Sequence, residues 1–194
     1  METGIKMGHM GPMFFTEEQE LRNWFEKNYQ KKKELLIGYY KEDSEKKGIT
    51  LSQSVDQALC FGWIEGVRKS LDKEGYIIRF TPRKPKSVWS PLHIKKVEEL
   101  LEKGLMKFEG IEVFNNRQGC DSGVFPFEKV EAKLDDFLVE KFKAHSKAWN
   151  FFNATAPSYK RTVLNWIMSA DQRSTREERL EALIRESEAE KKLS

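Results

Sequence analysis

The chain has 194 residues, 39% hydrophobic and 34% charged, and its 34 lysines and arginines nearly balance 31 aspartates and glutamates for a formal net charge of +3. That length can bury one substantial core or two small ones. The near-balance of charge argues against a general DNA-coating protein, so any electrostatic recognition must be local.

Cys60 and Cys120 stand apart from each other and from any CxxC or Cys/His spacing, so the pattern predicts reduced thiols and neither a disulfide framework nor a metal site. Residues 1–15 hold no apolar run long enough for a signal-peptide core, and nothing downstream has the length of a membrane-spanning helix. The expectation is a cytoplasmic protein whose residues 1–15 form a flexible tail.

Thr16 and Gln19 have capping-box spacing, and Leu21, Trp24, Phe25 and Tyr29 follow at helical intervals, which predicts a first helix. Leu35, Leu36, Tyr39 and Tyr40 read as a second apolar face of the same helical group, ending near Gly48 in a charged turn. Thr50 and Gln53 repeat the capping-box spacing ahead of a third helix with Leu51, Val55, Ala58 and Leu59 on one stripe. From Trp63 the period changes to alternation; LDKEG makes a turn and YIIRF is strongly strand-like, so a β-hairpin is expected over about 63–81.

Ser90 as N-cap and Pro91 at the first helical position start another helix, with Ile94, Val97, Leu100 and Leu101 inward and Gly104 as its stop. Leu105 to Gln118 is compatible with a helix or an extended segment, and GCDSGVFPF reads as an exposed connection. Beyond Val130 every apolar stripe is helical, with Pro157 opening one helix, Ser174 and Glu177 opening the last, and EAEKKLS expected to fray. These elements predict one compact α+β domain over 16–190. It is predominantly helical, with the small hairpin between N- and C-terminal helical groups: 16–120 holds helices plus the hairpin, and 130–190 is the C-terminal helical segment.

The string ALCFGWIEG, followed by YIIRFTPRKPKSVWS, a helix and GLMKFEG, resembles the bacterial YdeI or OmpD-associated family, also labelled bacteriocin-protection proteins. AWNFFNATAPSYKRTVLNWIMSADQRSTREERLEALI is similar to that family's helical end, with its Pro-Ser start, Trp-Ile pair and Thr-Arg capped helix. The similarity is read from Thr16 to about Ser187. It implies a role in tolerance of antimicrobial peptides or an association with an outer-membrane porin, and it implies no established reaction or catalytic residue.

The candidate site lies in RFTPRKPKSVWSP, where Arg79, Arg83, Lys84 and Lys86 crowd together with no acid among them. If a strand ends near Thr81 and a helix begins after Ser90, these cations flank a helix N-terminus. There the free N–H groups, the Ser87 and Ser90 hydroxyls and a neutral His93 could meet an anion. The structural alternative pairs Arg79 and Arg83 with acids such as Glu65, puts Trp89 in the core and leaves Ser90 as a cap.

Trp63, Tyr76, Phe80 and Trp89 interleave with the cations as in single-strand nucleic-acid grips, but no RNA-binding signature accompanies them. For catalysis the available groups are Cys60, Glu65, His93 and His145, with no Ser/His/Asp order, phosphate loop or metal-ligand spacing. The expected function is therefore a non-enzymatic stress or antimicrobial-peptide-tolerance protein. It would bind an anionic small molecule or an acidic protein surface through Arg79, Arg83, Lys84, Lys86, Ser87, Trp89, Ser90 and His93, with Glu65 and Trp63 alongside. No cofactor, metal or catalytic residue is assigned. The alternatives are a single-stranded nucleic-acid binder and an enzyme of unknown reaction using the same pocket.

Overall fold

The structure, a computed structural model, describes residues 11–41, 43–73, 75–117 and 133–193. It is α+β and mostly helical: among the described residues there are eight helices and one three-stranded antiparallel sheet. No described helix is long and apolar enough to cross a membrane. The GCDSGVFPF stretch lies outside the described residues. Contacts divide the chain into two compact units, one ending at Leu59 and resuming over Trp63–Arg83, the other made of Cys60–Gly62 and Lys84–Ser194. Their boundary cuts the basic stretch between Arg83 and Lys84.

The first unit contains α1 (Glu18–Asn28), β1 (Leu35–Tyr40), α2 (Leu51–Cys60, of which the last residue belongs to the other unit), β2 (Trp63–Ser70) and β3 (Gly75–Pro82). The sheet order is β1-β3-β2, so the expected hairpin gains a third strand. That strand is the segment 35–40, which the sequence reading assigned to a helical face. LLIGYY is rich in β-branched and aromatic residues and holds a glycine, and burying Leu35, Ile37 and Tyr39 against Phe80, Ile78 and Tyr76 of β3 satisfies a period of two.

Ahead of that strand, Met13 donates its N–H to the Leu36 carbonyl at 2.8 Å and accepts from the Gly38 N–H at 2.8 Å, and Phe15 is buried. The fold therefore starts before Thr16, and the tail assigned to 1–15 is too long. A Cβ on Gly38 would run into the Phe14 ring, which stacks on Tyr40 with centroids 4.9 Å apart.

Of the capping signals in this unit, one holds as spaced and one shifts by a residue. Thr50 and Gln53 bond reciprocally: the Thr50 N–H donates to Gln53 Oε1 at 2.8 Å, and the Gln53 N–H donates to Thr50 Oγ1 at 3.2 Å. At α1 it is Glu20, not Gln19, that accepts from the Thr16 N–H at 2.9 Å, since the helix starts at Glu18. Trp63, 1% exposed, packs edge-on against Phe25 at 5.4 Å and Trp24 at 6.0 Å, joining α1 to the sheet. A bulge between Glu65 and Arg68 inserts one residue into β2, so both side chains share the face opposite Phe80 and Ile78. Arg68 then lies 3.6 Å over the Tyr76 ring, which stacks on Tyr39 at 5.0 Å.

The second unit contains α3 (Pro91–Glu102), α4 (Phe108–Asn115), α5 (Asp136–Lys143), α6 (Ser146–Ala154), α7 (Pro157–Met168) and α8 (Arg173–Glu188). Ser90 caps α3 by accepting the His93 N–H at 3.2 Å, with Pro91 in the first turn. Gly104 ends it at φ 64°, with the paired bonds from Leu105 N–H to the Leu100 carbonyl and from Gly104 N–H to the Leu101 carbonyl. The ambiguous 105–118 stretch resolves as helix α4 because Phe108, Ile111 and Phe114, three residues apart, are all buried. α8 begins at Arg173, one residue ahead of the expected Ser174, and carries no side-chain cap.

Arg179 of α8 ties the helix ends together. Its guanidinium donates to the Gly104 carbonyl at 2.7 Å, to Ser169 Oγ at 3.0 Å and to the Trp166 carbonyl, while lying 5.1 Å from the Trp166 ring centroid. It thereby satisfies backbone acceptors that the C-terminal ends of α3 and α7 leave over. Arg179→Ala is expected to cost about 2–4 kcal/mol in urea unfolding, and Arg179→Lys to recover less than half, because an ammonium cannot reproduce the forked geometry.

Candidate functional site

The residues of the basic stretch separate by unit and by environment. In the sheet unit, Arg79 is exposed and forms an ion pair with Glu34 at 2.7 Å. Arg83 is 6% exposed; burial lowers its pKa to about 10, partly offset by the attraction of Glu65, which sits on the inward-facing side of β2 opposite Phe80. Trp63 is a core residue.

In the helical unit, Lys84 and Lys86 are exposed, and Ser87 closes a local turn by accepting the Lys84 N–H at 3.1 Å and donating its own N–H to the Lys84 carbonyl at 2.9 Å. Trp89 stands edge-on to Phe114 at 5.1 Å. Ser90 is the α3 cap, and His93 contributes its backbone N–H to that cap. Of the remaining candidates for chemistry, Cys60 is buried, and His145 Nδ1 lies 2.8 Å from Glu188 Oε1.

The helical unit also holds a cavity of about 240 Å³ between α3, α4 and α7 that the sequence reading did not identify. Leu101, Phe108, Ile111 and Phe114 supply its apolar lining, and Glu98, Glu112, Asn115, Arg117, Arg161, Thr162, Asn165 and Lys192 supply polar groups. Asn115 Nδ2 donates to Thr162 Oγ1 at 3.0 Å, and that hydroxyl donates to the Ser158 carbonyl at 3.1 Å, which fixes α4 against α7 across the cavity.

At the rim, partial burial and then the nearby Glu109 push the Glu112 carboxyl above its usual range, and the positive charge of Lys192 draws it back. Burial also raises the Tyr159 phenol, whose oxygen accepts the Leu193 N–H at 2.9 Å. Residues 192 and 193 are thus pinned to α7, where the sequence reading expected fraying. The one sequence signal of this cavity was the run Tyr159, Thr162, Asn165: polar groups at three-residue spacing along the stripe of α7 that faces the core. A larger depression of about 530 Å³ lies between α5, α6 and α7, lined by Val139, Trp149, Phe152 and Leu164 with Lys133 and Lys160 among its polar groups.

The elements define an α+β protein, mostly helical, with a sheet-bearing unit and a helical unit. The chain belongs to the family described as Domain of unknown function (DUF8412), whose model matches residues 13–113, just over half of the 194. A second model, described as Bacteriocin-protection, YdeI or OmpD-Associated, matches residues 131–190 and makes that segment a domain of the family the sequence resembles. The match to that family is confined to the C-terminal segment. The central motif, from ALCFGWIEG to GLMKFEG, falls within the first family's match instead. No curated protein and no solved structure matches the chain.

The two arginines of the basic stretch should behave oppositely. Arg83→Ala is expected to destabilise the sheet unit by about 3–5 kcal/mol, because it leaves the Glu65 charge in a buried setting. Arg79→Ala, which removes an exposed ion pair, should cost about 0–1 kcal/mol, with chemical denaturation of both variants as the measurement.

Proposed function

We propose that this chain serves bacteriocin tolerance by binding, and that its binding site is the cavity between α3, α4 and α7. The role in bacteriocin protection is what the family matched at residues 131–190 suggests, and α7, one wall of the cavity, lies within that match. The observation that carries the reading is the cavity itself: an apolar floor, a polar rim and a volume suited to a side chain or a small molecule.

Its lining favours binding over reaction. It includes neither histidine nor cysteine, and the Thr162 hydroxyl is engaged on both sides, by Asn115 and by the Ser158 carbonyl. Ser158 stands exposed at the cavity's edge, so Ser158→Trp should fill the mouth without disturbing the core. In cells dependent on this chain for survival of a bacteriocin challenge, that variant is expected to lose protection at an unchanged thermal midpoint. Full protection would remove the cavity from the function.

A second reading keeps the basic loop as a contact for an anionic ligand or an acidic protein surface, because Lys84 and Lys86 are exposed just before the capped start of α3. Lys84→Glu with Lys86→Glu should then abolish binding to polyglutamate. If the anion were single-stranded DNA held by those two lysines, the log-log salt dependence of its affinity would have a slope of about −1.4, and a flat response would exclude it.

A further inference from the structure

The segment after α8 does not run on into solvent. Glu190 sits at φ 57°, the one positive φ outside glycine among the described residues. Its N–H reaches the Ser187 carbonyl at 3.0 Å, and the Lys191 N–H reaches the Glu186 carbonyl at 2.9 Å. This is the helix-ending turn usually built on glycine, and it folds the chain back across α7. Lys192 thereby lines the cavity, with its Nζ 5.1 Å from the Tyr159 ring centroid, and the Leu193 N–H donates to the Tyr159 hydroxyl at 2.9 Å.

The groups around this segment form a recognition set. Glu112 supplies a carboxylate that feels the Lys192 charge, the Tyr159 ring supplies a π face, its oxygen supplies an acceptor for a backbone N–H, and Glu98 adds a second carboxylate to the cavity lining. Two other cations line the cavity. Arg117 is folded onto Phe114, 4.0 Å from the ring centroid and donating to the Phe114 carbonyl at 2.7 Å, and Arg161 is exposed. The Glu112 carboxyl, pushed up by partial burial and by Glu109, gains from any cation brought beside it, as it does from Lys192.

We propose that the cavity rim is a receptor for the primary ammonium of a lysine in a basic-apolar peptide, and that Lys192 and Leu193 occupy it as an intramolecular competitor. The proposal rests on the cavity reading above and deepens it by naming the ligand class and a built-in regulator. The strap is suited to displacement. Its described hold on α7 is one backbone hydrogen bond and one cation–π contact from an exposed side chain, and a second chain carrying Lys-Leu could make both.

The test uses the full chain in three forms: wild type, Lys192→Ala with Leu193→Pro, and that pair with Glu112→Gln added. The proline removes the N–H that reaches Tyr159. Each is titrated calorimetrically with acetyl-Lys-Lys-Leu-Ser-amide and with acetyl-Glu-Glu-Leu-Ser-amide. The strap-released form is expected to bind the lysine peptide, the wild type about tenfold more weakly because its own segment holds the site in most molecules, and the Glu112→Gln form about tenfold more weakly than the released one.

Equal binding of the two peptides, equal binding by wild type and released chain, or no binding by the released chain overturns the proposal. If Ser158→Trp abolishes protection while the released chain ignores the lysine peptide, the cavity reading stands and the ammonium assignment falls. If the released chain binds the peptide while Ser158→Trp leaves protection intact, the receptor stands and its part in tolerance falls.

Discussion

The helical unit depends on one guanidinium. A helix leaves its last carbonyls without intrahelical partners, and a unit built from short helices has many such ends to satisfy away from water. Arg179 satisfies three acceptors from two of those ends at once, because its donors diverge in a plane and reach the Gly104 carbonyl, the Trp166 carbonyl and Ser169 Oγ from one position on α8. Gly104 takes part in the same arrangement, since a Cβ there would lie 3.1 Å from the Ser169 carbonyl. Without that close approach α3 and α7 would separate, and the cavity between them would lose its shape.

The sheet unit solves a different problem. Arg83 is buried within the electrostatic reach of Glu65, whose strand pairs with β3 beside Trp63 and opposite Phe80. Pairs of this kind contribute little net stability relative to apolar residues of the same shape, but losing either partner is costly. The bulge in β2 follows Glu65 directly and leaves Arg68 over the Tyr76 ring. The cations that stand together in the sequence meet different surroundings: in the sheet unit Arg79 pairs with Glu34 and Arg83 is buried near Glu65, and in the helical unit Lys84 and Lys86 are exposed.

The first family match ends at residue 113 and the second begins at residue 131, and neither coincides with a structural unit. The match ending at residue 113 includes α3 and the first part of α4, and the match beginning at residue 131 includes α7 and α8, so the cavity draws walls from both, with Phe114, Asn115, Arg117 and Lys192 outside either. A site shared in this way belongs to neither segment alone. The hydrogen bond from the Asn115 amide to the Thr162 hydroxyl joins the second matched segment to a residue just beyond the end of the first.

Local chemistry made much of the fold legible. Ser90 and Pro91 define a helix start, Thr50 and Gln53 cap each other, and Gly104 takes the backbone geometry that glycine alone adopts without penalty, because each signal acts within a few residues. The segment LLIGYY was misread for the complementary reason: its apolar residues fit either period, and the choice fell to pairing with β3, more than thirty residues away in the chain. The cavity was illegible for the same cause. Glu98, Glu112, Tyr159 and Lys192 carry no shared spacing and meet only once the helices pack. The sequence by itself determined the elements whose ends are set by short-range hydrogen bonds. Only the tertiary structure decided which charges are buried, which are neutralised and which remain to meet a partner, because charge is long-ranged and its environment is built from distant parts of the chain.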